Sequence, residues 1–185
     1  MPVIICMLRG VNVGGHNRIK MEALRALCES LGLRDVQTYI QSGNIVFRAK
    51  QKNLVKLGAD LQNAIGRSAG FRPEVILRTS AEVRDAIARN PFAGRRDVEP
   101  NKFLLAFLAS VPAPDVREKV LQIKIAPEEL HLDQREMYIY FPNGMGRPKL
   151  SWAVLDRILK IPSTGRNWNT VLKLLEMATA LEAQH

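Results

Sequence analysis

Val36 to Phe47 reads VQTYIQSGNIVF, two strand-like runs around a polar middle. Val36 to Ile40 and Ile45 to Phe47 are rich in β-branched and aromatic residues. Gln41-Ser42-Gly43-Asn44 between them includes Gly and Asn, which tolerate the positive φ of a tight turn. The stretch therefore predicts a hairpin. Upstream, Val3 to Leu8 is a short apolar strand, and Met21, Leu24, Leu27, Cys28 and Leu31 recur at helical spacing until Gly32 stops them. Downstream, Leu54, Leu57, Leu61 and Ile65 form a second helical stripe, and Glu74 to Leu77 after Pro73 a further strand. The first 79 residues thus spell β-α-β-β-α-β.

After a short helix over Val83 to Arg89, the order begins again. Lys102 to Ala109 reads as a strand and Pro114 to Leu121 as a helix; Glu129 to Asp133 and Met137 to Phe141 read as strands joined at Gln134-Arg135. Two helical stripes follow, at Leu150 to Leu159 and Val171 to Ala178. The second half spells β-α-β-β-α-α, the first half's order with its last strand replaced by a helix. A β-α-β-β-α-β string closes as a ferredoxin-like sandwich, with helices on one face of an antiparallel sheet. The expected fold is α+β, with two ferredoxin-like α/β sandwich modules packed together. Residues 1–79 form the first, and residues 80–185 the second with an extra C-terminal helix.

The segments LRGVNVGG (Leu8 to Gly15), LGLRDVQTYIQSGNIVF (Leu31 to Phe47), NPF (Asn90 to Phe92), GMGRPKL (Gly144 to Leu150) and TGRNWNTVLKLLEMA (Thr164 to Ala178) together resemble a bacterial family, the domain-of-unknown-function 1697 family. The resemblance runs in order along nearly the whole chain. It implies the same two-module fold and no activity, so no catalytic residue carries over. His16 stands where the resemblance leads one to expect Lys.

Composition excludes other classes. The chain has 185 residues, 46% of them hydrophobic, too apolar for a disordered tail. Its longest apolar runs fall far short of the roughly 20 residues that cross a bilayer, so no membrane partner is expected. The start, Met-Pro-Val-Ile-Ile, has neither a basic segment nor a cleavage site of signal type. Cys6 and Cys28 fit neither a disulfide framework nor a metal-ligand spacing. A cytoplasmic protein with buried thiols is expected. The formal charge is +9, and residues 1–79 hold most of it, with 12 Lys and Arg against 5 Asp and Glu.

Four polar clusters stand at element ends. Arg9-Gly10-Val11-Asn12-Val13-Gly14-Gly15-His16-Asn17-Arg18-Ile19-Lys20 leads from a strand to a helix. Glycine turns can present amides as an anion nest, and a helix start adds about half a positive charge. Arg9, Arg18 and Lys20 would neutralise a phosphate. The spacing is neither a dinucleotide fingerprint nor a P-loop. The second cluster is the turn with Ser42, Gly43 and Asn44; its strand runs parallel to the first, so it emerges at the same sheet edge. The third, with Gly144, Gly146, Arg147 and Lys149, is another basic glycine loop. The fourth, with Arg166, Asn167, Trp168 and Asn169, reads as the start of the final helix; Asn167 would cap it, or the group would hold a phosphate with a ring on Trp168.

The usual enzymatic sets are missing. His16, His131 and His185 show no metal-ligand spacing, no carboxylate pair lies in a glycine loop, and no nucleophile elbow is present. No metal or cofactor is indicated. Two readings stay open: a binding module for a nucleotide or nucleic acid through these loops, or an enzyme acting on a small phosphorylated or carboxylated metabolite in a cleft between modules. Base stacking on the first sheet is not expected, because Val3 to Leu8 carries no aromatic residue.

Overall fold

The computed structural model describes residues 1–184; His185 lies outside the described residues. The fold is α+β, with two antiparallel β-sheets of four strands each. Residue contacts divide it into a first unit, Met1–Asp85 with the residues from Leu172 onward, and a second, Ala86–Val171.

In the first unit β1 (Val3–Leu8), α1 (Met21–Ser30), β2 (Arg34–Tyr39), β3 (Asn44–Arg48), α2 (Leu54–Ala69) and β4 (Val75–Thr79) follow the expected order. The sheet runs β2-β3-β1-β4, and every neighbouring pair is antiparallel. Strand alternation sends Ile4, Cys6, Leu8, Ile45, Phe47 and Leu77 to one face, where Leu24, Cys28, Leu57, Leu61 and Ile65 of the two helices bury them. The other face of β1, Val3, Ile5 and Met7, is buried as well, which explains an unbroken apolar run in place of alternation. Asn53 caps α2 by accepting from the Lys56 amide at 3.0 Å, and Gly70 ends it with φ +78°. Burial pushes the Cys28 thiol up to about 12, with Glu29 adding to the shift, so it is a packed group and not a nucleophile. Arg48, 6% exposed, pairs with Asp35 at 3.0 Å and donates to the carbonyl oxygen of Leu181.

The second unit contains β5 (Phe103–Leu108), α4 (Pro114–Leu121), β6 (Glu129–Asp133), β7 (Glu136–Tyr140), α5 (Trp152–Leu159) and β8 (Ser163–Asn167). Helices α3 (Ser80–Ala88) and α6 (Trp168–Glu182) each cross the division between the units. The sheet order β6-β7-β5-β8 repeats that of the first unit.

The fourth strand is the correction. The expected β-α-β-β-α-α order of the second half is β-α-β-β-α-β followed by α6, because Ser163–Asn167 pairs antiparallel with Leu104–Leu108. Its sequence STGRN has neither apolar alternation nor β-branched enrichment, so it reads as a loop. Glycine there answers to packing: a Cβ on Gly165 would lie 2.9 Å from Leu104 Cδ2 and 3.2 Å from Trp152 Cζ2. Gly165→Ala is expected to cost about 1 kcal/mol of stability by overpacking, read by denaturant titration; an unchanged midpoint would refute this packing account.

Candidate functional site

In the first unit β1 and β2 run in the same direction with β3 between them, so the segments leaving both meet at one edge of the sheet. The segment after β1 is held by two apolar pegs, Val11 and Ile19, 1% and 9% exposed. Between them the chain forms a small exposed hairpin. Asn12 N–H donates to Asn17 O at 3.1 Å, His16 N–H donates to Val13 O at 3.0 Å, and Val13 bridges His16. Gly14 and Gly15 at its tip have φ +58° and +80°, the pair of positive values that a two-residue type I′ turn needs. The glycines expected to cradle an anion thus form a hairpin tip, and its returning limb, Arg18 to Lys20, faces the helix start.

Asn12 fixes this hairpin to its neighbours. With φ +56°, it donates from Nδ2 to Ile19 O and to Gln41 O, both at 2.9 Å, while Oδ1 accepts from Ile19 N–H at 2.9 Å. The bond to Gln41 joins the hairpin to the β2–β3 turn, the juxtaposition that strand direction implied. Asn17 Nδ2 donates to Gly10 O at 3.0 Å, and Gly10 has φ +71°. Within the turn the positive φ values fall on Ile40, +50°, and Gly43, +72°. Asn44 instead begins β3, fully buried, and donates to Tyr39 O at 3.2 Å and Ser42 Oγ at 3.0 Å.

An open groove of about 750 Å³ lies between the hairpin and α1, lined by Gly15, Arg18, Lys20, Met21, Glu22 and Gln41 among others. Lys20 is the N-cap residue of α1, extended at φ −69° and ψ 138°, with no side-chain cap bond. The first turn of α1 therefore presents amides with no intrahelical acceptor, the positive end of the helix dipole. Two cations and this half charge stand against one carboxylate, Glu22. Arg9, half-buried, lies at the same edge, its N–H donating to Glu74 O at 3.0 Å. Gln41 and Glu22 complete a lining to which the glycine loop singled out from sequence contributes Asn12, Gly15, Arg18 and Lys20.

The third and fourth clusters belong to the second unit. In the third, Gly144 turns with φ +84° and donates to Phe141 O at 2.8 Å; Gly146, Arg147 and Lys149 are exposed. Lys149 N–H donates to Glu128 Oε1 at 3.0 Å. The fourth is spent on the fold. Arg166 is 9% exposed within β8 and donates to Thr164 Oγ1 at 2.8 Å and Gly165 O at 2.9 Å. Asn167 caps α6, its Oδ1 accepting from Asn169 N–H at 3.0 Å, and its Nδ2 donates to Asn101 O at 3.0 Å. Trp168 packs on Phe103 with ring centroids 4.6 Å apart. The ring face that Trp168 turns to Phe103 is therefore occupied.

Sequence reading missed an aromatic sheet face in the second unit. The register sets Phe103 opposite Tyr140 and Leu105 opposite Tyr138. Base stacking on this face is blocked: Phe92 lies edge-on to Phe103 and to His131, Tyr138 donates to Ala86 O at 2.6 Å, and Tyr140 to Asp97 O at 2.6 Å. Among the described residues no group of three His, Cys, Asp or Glu could hold a metal, and no helix is long and apolar enough to cross a membrane.

The chain is similar to a conserved bacterial protein, SP0830 from Streptococcus pneumoniae, whose solved structure matches with a TM-score of 0.74 over 97% of this chain and 99% of that one. At 23% identity the likeness is one of fold. Among curated proteins none matches. The family model for a protein of unknown function, DUF1697, matches residues 1–138, from ahead of β1 into β7, and the chain belongs to that family.

Proposed function

We propose that the first unit binds a phosphate-bearing ligand, a nucleotide or nucleic acid, in the groove between the glycine-tipped hairpin and the start of α1. The observation that carries this reading is the uncapped first turn of α1 opening onto a groove lined by Arg18 and Lys20. Phosphate oxygens accept from such amides, and the two side chains neutralise their charge. The groove is open, which suits binding better than a reaction needing exclusion of water. Of the residues first singled out, Asn12, Gly15, Arg18 and Lys20 line it, while Gly43 and Asn44 hold the neighbouring turn in place. The buried thiols of Cys6 and Cys28 support a cytoplasmic setting.

The test is a titration with labelled single-stranded RNA and with duplex DNA at 50 and 200 mM salt. Affinity is expected to fall as salt rises, and R18A/K20A to weaken binding at least tenfold at the lower salt. Losing two phosphate contacts should reduce the slope of log affinity against log salt by about 1.4 for a single strand and 1.8 for a duplex. No binding at 50 mM, or an unchanged slope in the variant, would overturn the reading.

A further inference from the structure

We infer that the ligand is a polymer, a nucleic-acid backbone several nucleotides long lying across one edge of the first sheet; this rests on the phosphate reading of the Arg18–Lys20 groove. A second groove, of about 330 Å³, is lined by Asn63, Gly66, Arg67, Gly70 and Arg72. It stands at the end of α2, just before β4, and chain direction brings it to the edge that carries the hairpin. The bond from Arg9 N–H to Glu74 O and that from Gln62 Nε2 to Pro73 O, at 3.0 and 2.8 Å, tie this connection to the same edge.

The arginines of the second groove are positioned. A Cβ on Gly66 would lie 2.9 Å from Arg72 Cγ, so the missing side chain lets the Arg72 stem lie flat on α2, and Arg72 donates to Asn63 Oδ1. The carbonyl end of α2 contributes about half a negative charge, which two guanidinium groups exceed. Among the described residues, Arg18, Lys20, Arg67 and Arg72 enter no ion pair. The exposed carboxylates at this edge, Glu22 and Glu74, are fewer than these cations.

Distance selects the polymer. The first groove extends from the segment that follows β1 to Gln41, which follows the outer strand β2, and the second precedes β4, the strand beside β1. One to three strand spacings therefore separate them, about 5 to 14 Å. A stacked strand rises about 3.4 Å per nucleotide, so the interval between the grooves is bridged by up to about four nucleotides. A mononucleotide fills one groove only.

The experiment compares thymidine monophosphate, thymidine oligonucleotides of two, four and twelve residues, and a twelve-base-pair duplex, binding to the full chain at 50 mM salt. Affinity is expected to rise steeply up to about four nucleotides and only slowly beyond. R67A/R72A is expected to weaken the twelve-residue strand and the duplex about tenfold while leaving the monophosphate unchanged. R67K/R72K, which keeps the charge, should retain most of the affinity. K50A/K52A, at the opposite edge of the sheet, should change nothing. The inference is overturned if R67A/R72A binds the long strand like the parent, if the monophosphate binds as tightly as the long strand, or if K50A/K52A weakens binding equally. Loss of binding in R18A/K20A with none in R67A/R72A removes the polymer alone; indifference to both removes the groove reading as well. The single-strand and duplex arms show which form supplies the backbone.

Discussion

Gly43→Ala is expected to lower the thermal midpoint by about 9 °C. Two independent costs add. Gly43 has φ +72°, a left-handed conformation that costs an L-residue about 1 to 2 kcal/mol. Its Cβ would also lie 2.7 Å from Leu8 Cβ, and Leu8 cannot retreat because its N–H donates to Gly43 O at 2.9 Å within a fully buried strand. Overpacking of this kind costs about 1 to 3 kcal/mol. Together they make about 3 kcal/mol, which at roughly 3 °C per kcal/mol for a chain of this size gives the stated shift. Gly32→Ala separates the two costs, since Gly32 has φ +78° with nothing within 4 Å of its Cβ; it should show only the smaller, conformational part. Equal shifts in the two variants, measured by circular dichroism melting, would refute the contact with Leu8.

Asn12→Ala is expected to cost about 3 kcal/mol as well, and to impair the groove. The substitution removes three hydrogen bonds, to Ile19 O, Ile19 N–H and Gln41 O, each worth about 1 kcal/mol. Asn adopts positive φ more readily than Ala, which adds to the loss at φ +56°. Because Asn12 joins the hairpin to the β2–β3 turn without offering a side-chain donor to a ligand, its loss should weaken phosphate binding by disordering Arg18 and Lys20. Asn12→Asp, which keeps the acceptor for Ile19 N–H, should lie between Ala and the parent in stability. Hydrogen exchange of the Ile19 amide reads the clamp directly: unchanged protection in Asn12→Ala would show that it does not hold the hairpin.

The first unit was legible because its strands and helices obey two simple periods. Leu24 and Cys28, or Leu57, Leu61 and Ile65, keep helical spacing, and VQTYIQSGNIVF places its turn residues between two β-rich runs. The chain direction of β1 and β2 was enough to bring hairpin and turn together. What remained hidden was conformation set by neighbours. Nothing local announces that Ile40, a β-branched residue 53% exposed, takes the positive φ expected at Asn44. Nor does STGRN declare itself a strand; it is one because β5 offers it a ladder and because Leu104 and Trp152 admit nothing larger than Gly165. The glycine loop kept its conformation hidden in the same way: Gly14 and Gly15 serve an I′ turn, and Arg18 and Lys20 beside them line the groove. Arg67 and Arg72, which no sequence motif singles out, take on meaning through an edge of the sheet they share with residues some 50 positions earlier in sequence.

The bond from Arg48 to the Leu181 carbonyl spans 133 residues. During translation, at about 5 to 20 residues per second, Arg48 is made about 7 to 27 s before its acceptor. All of Ala86–Val171 is synthesised in that interval. The nascent first unit can therefore pair its four strands and bring Asp35 to Arg48 early, but the Arg48 donor that Leu181 satisfies stays hydrated until α6 has been made.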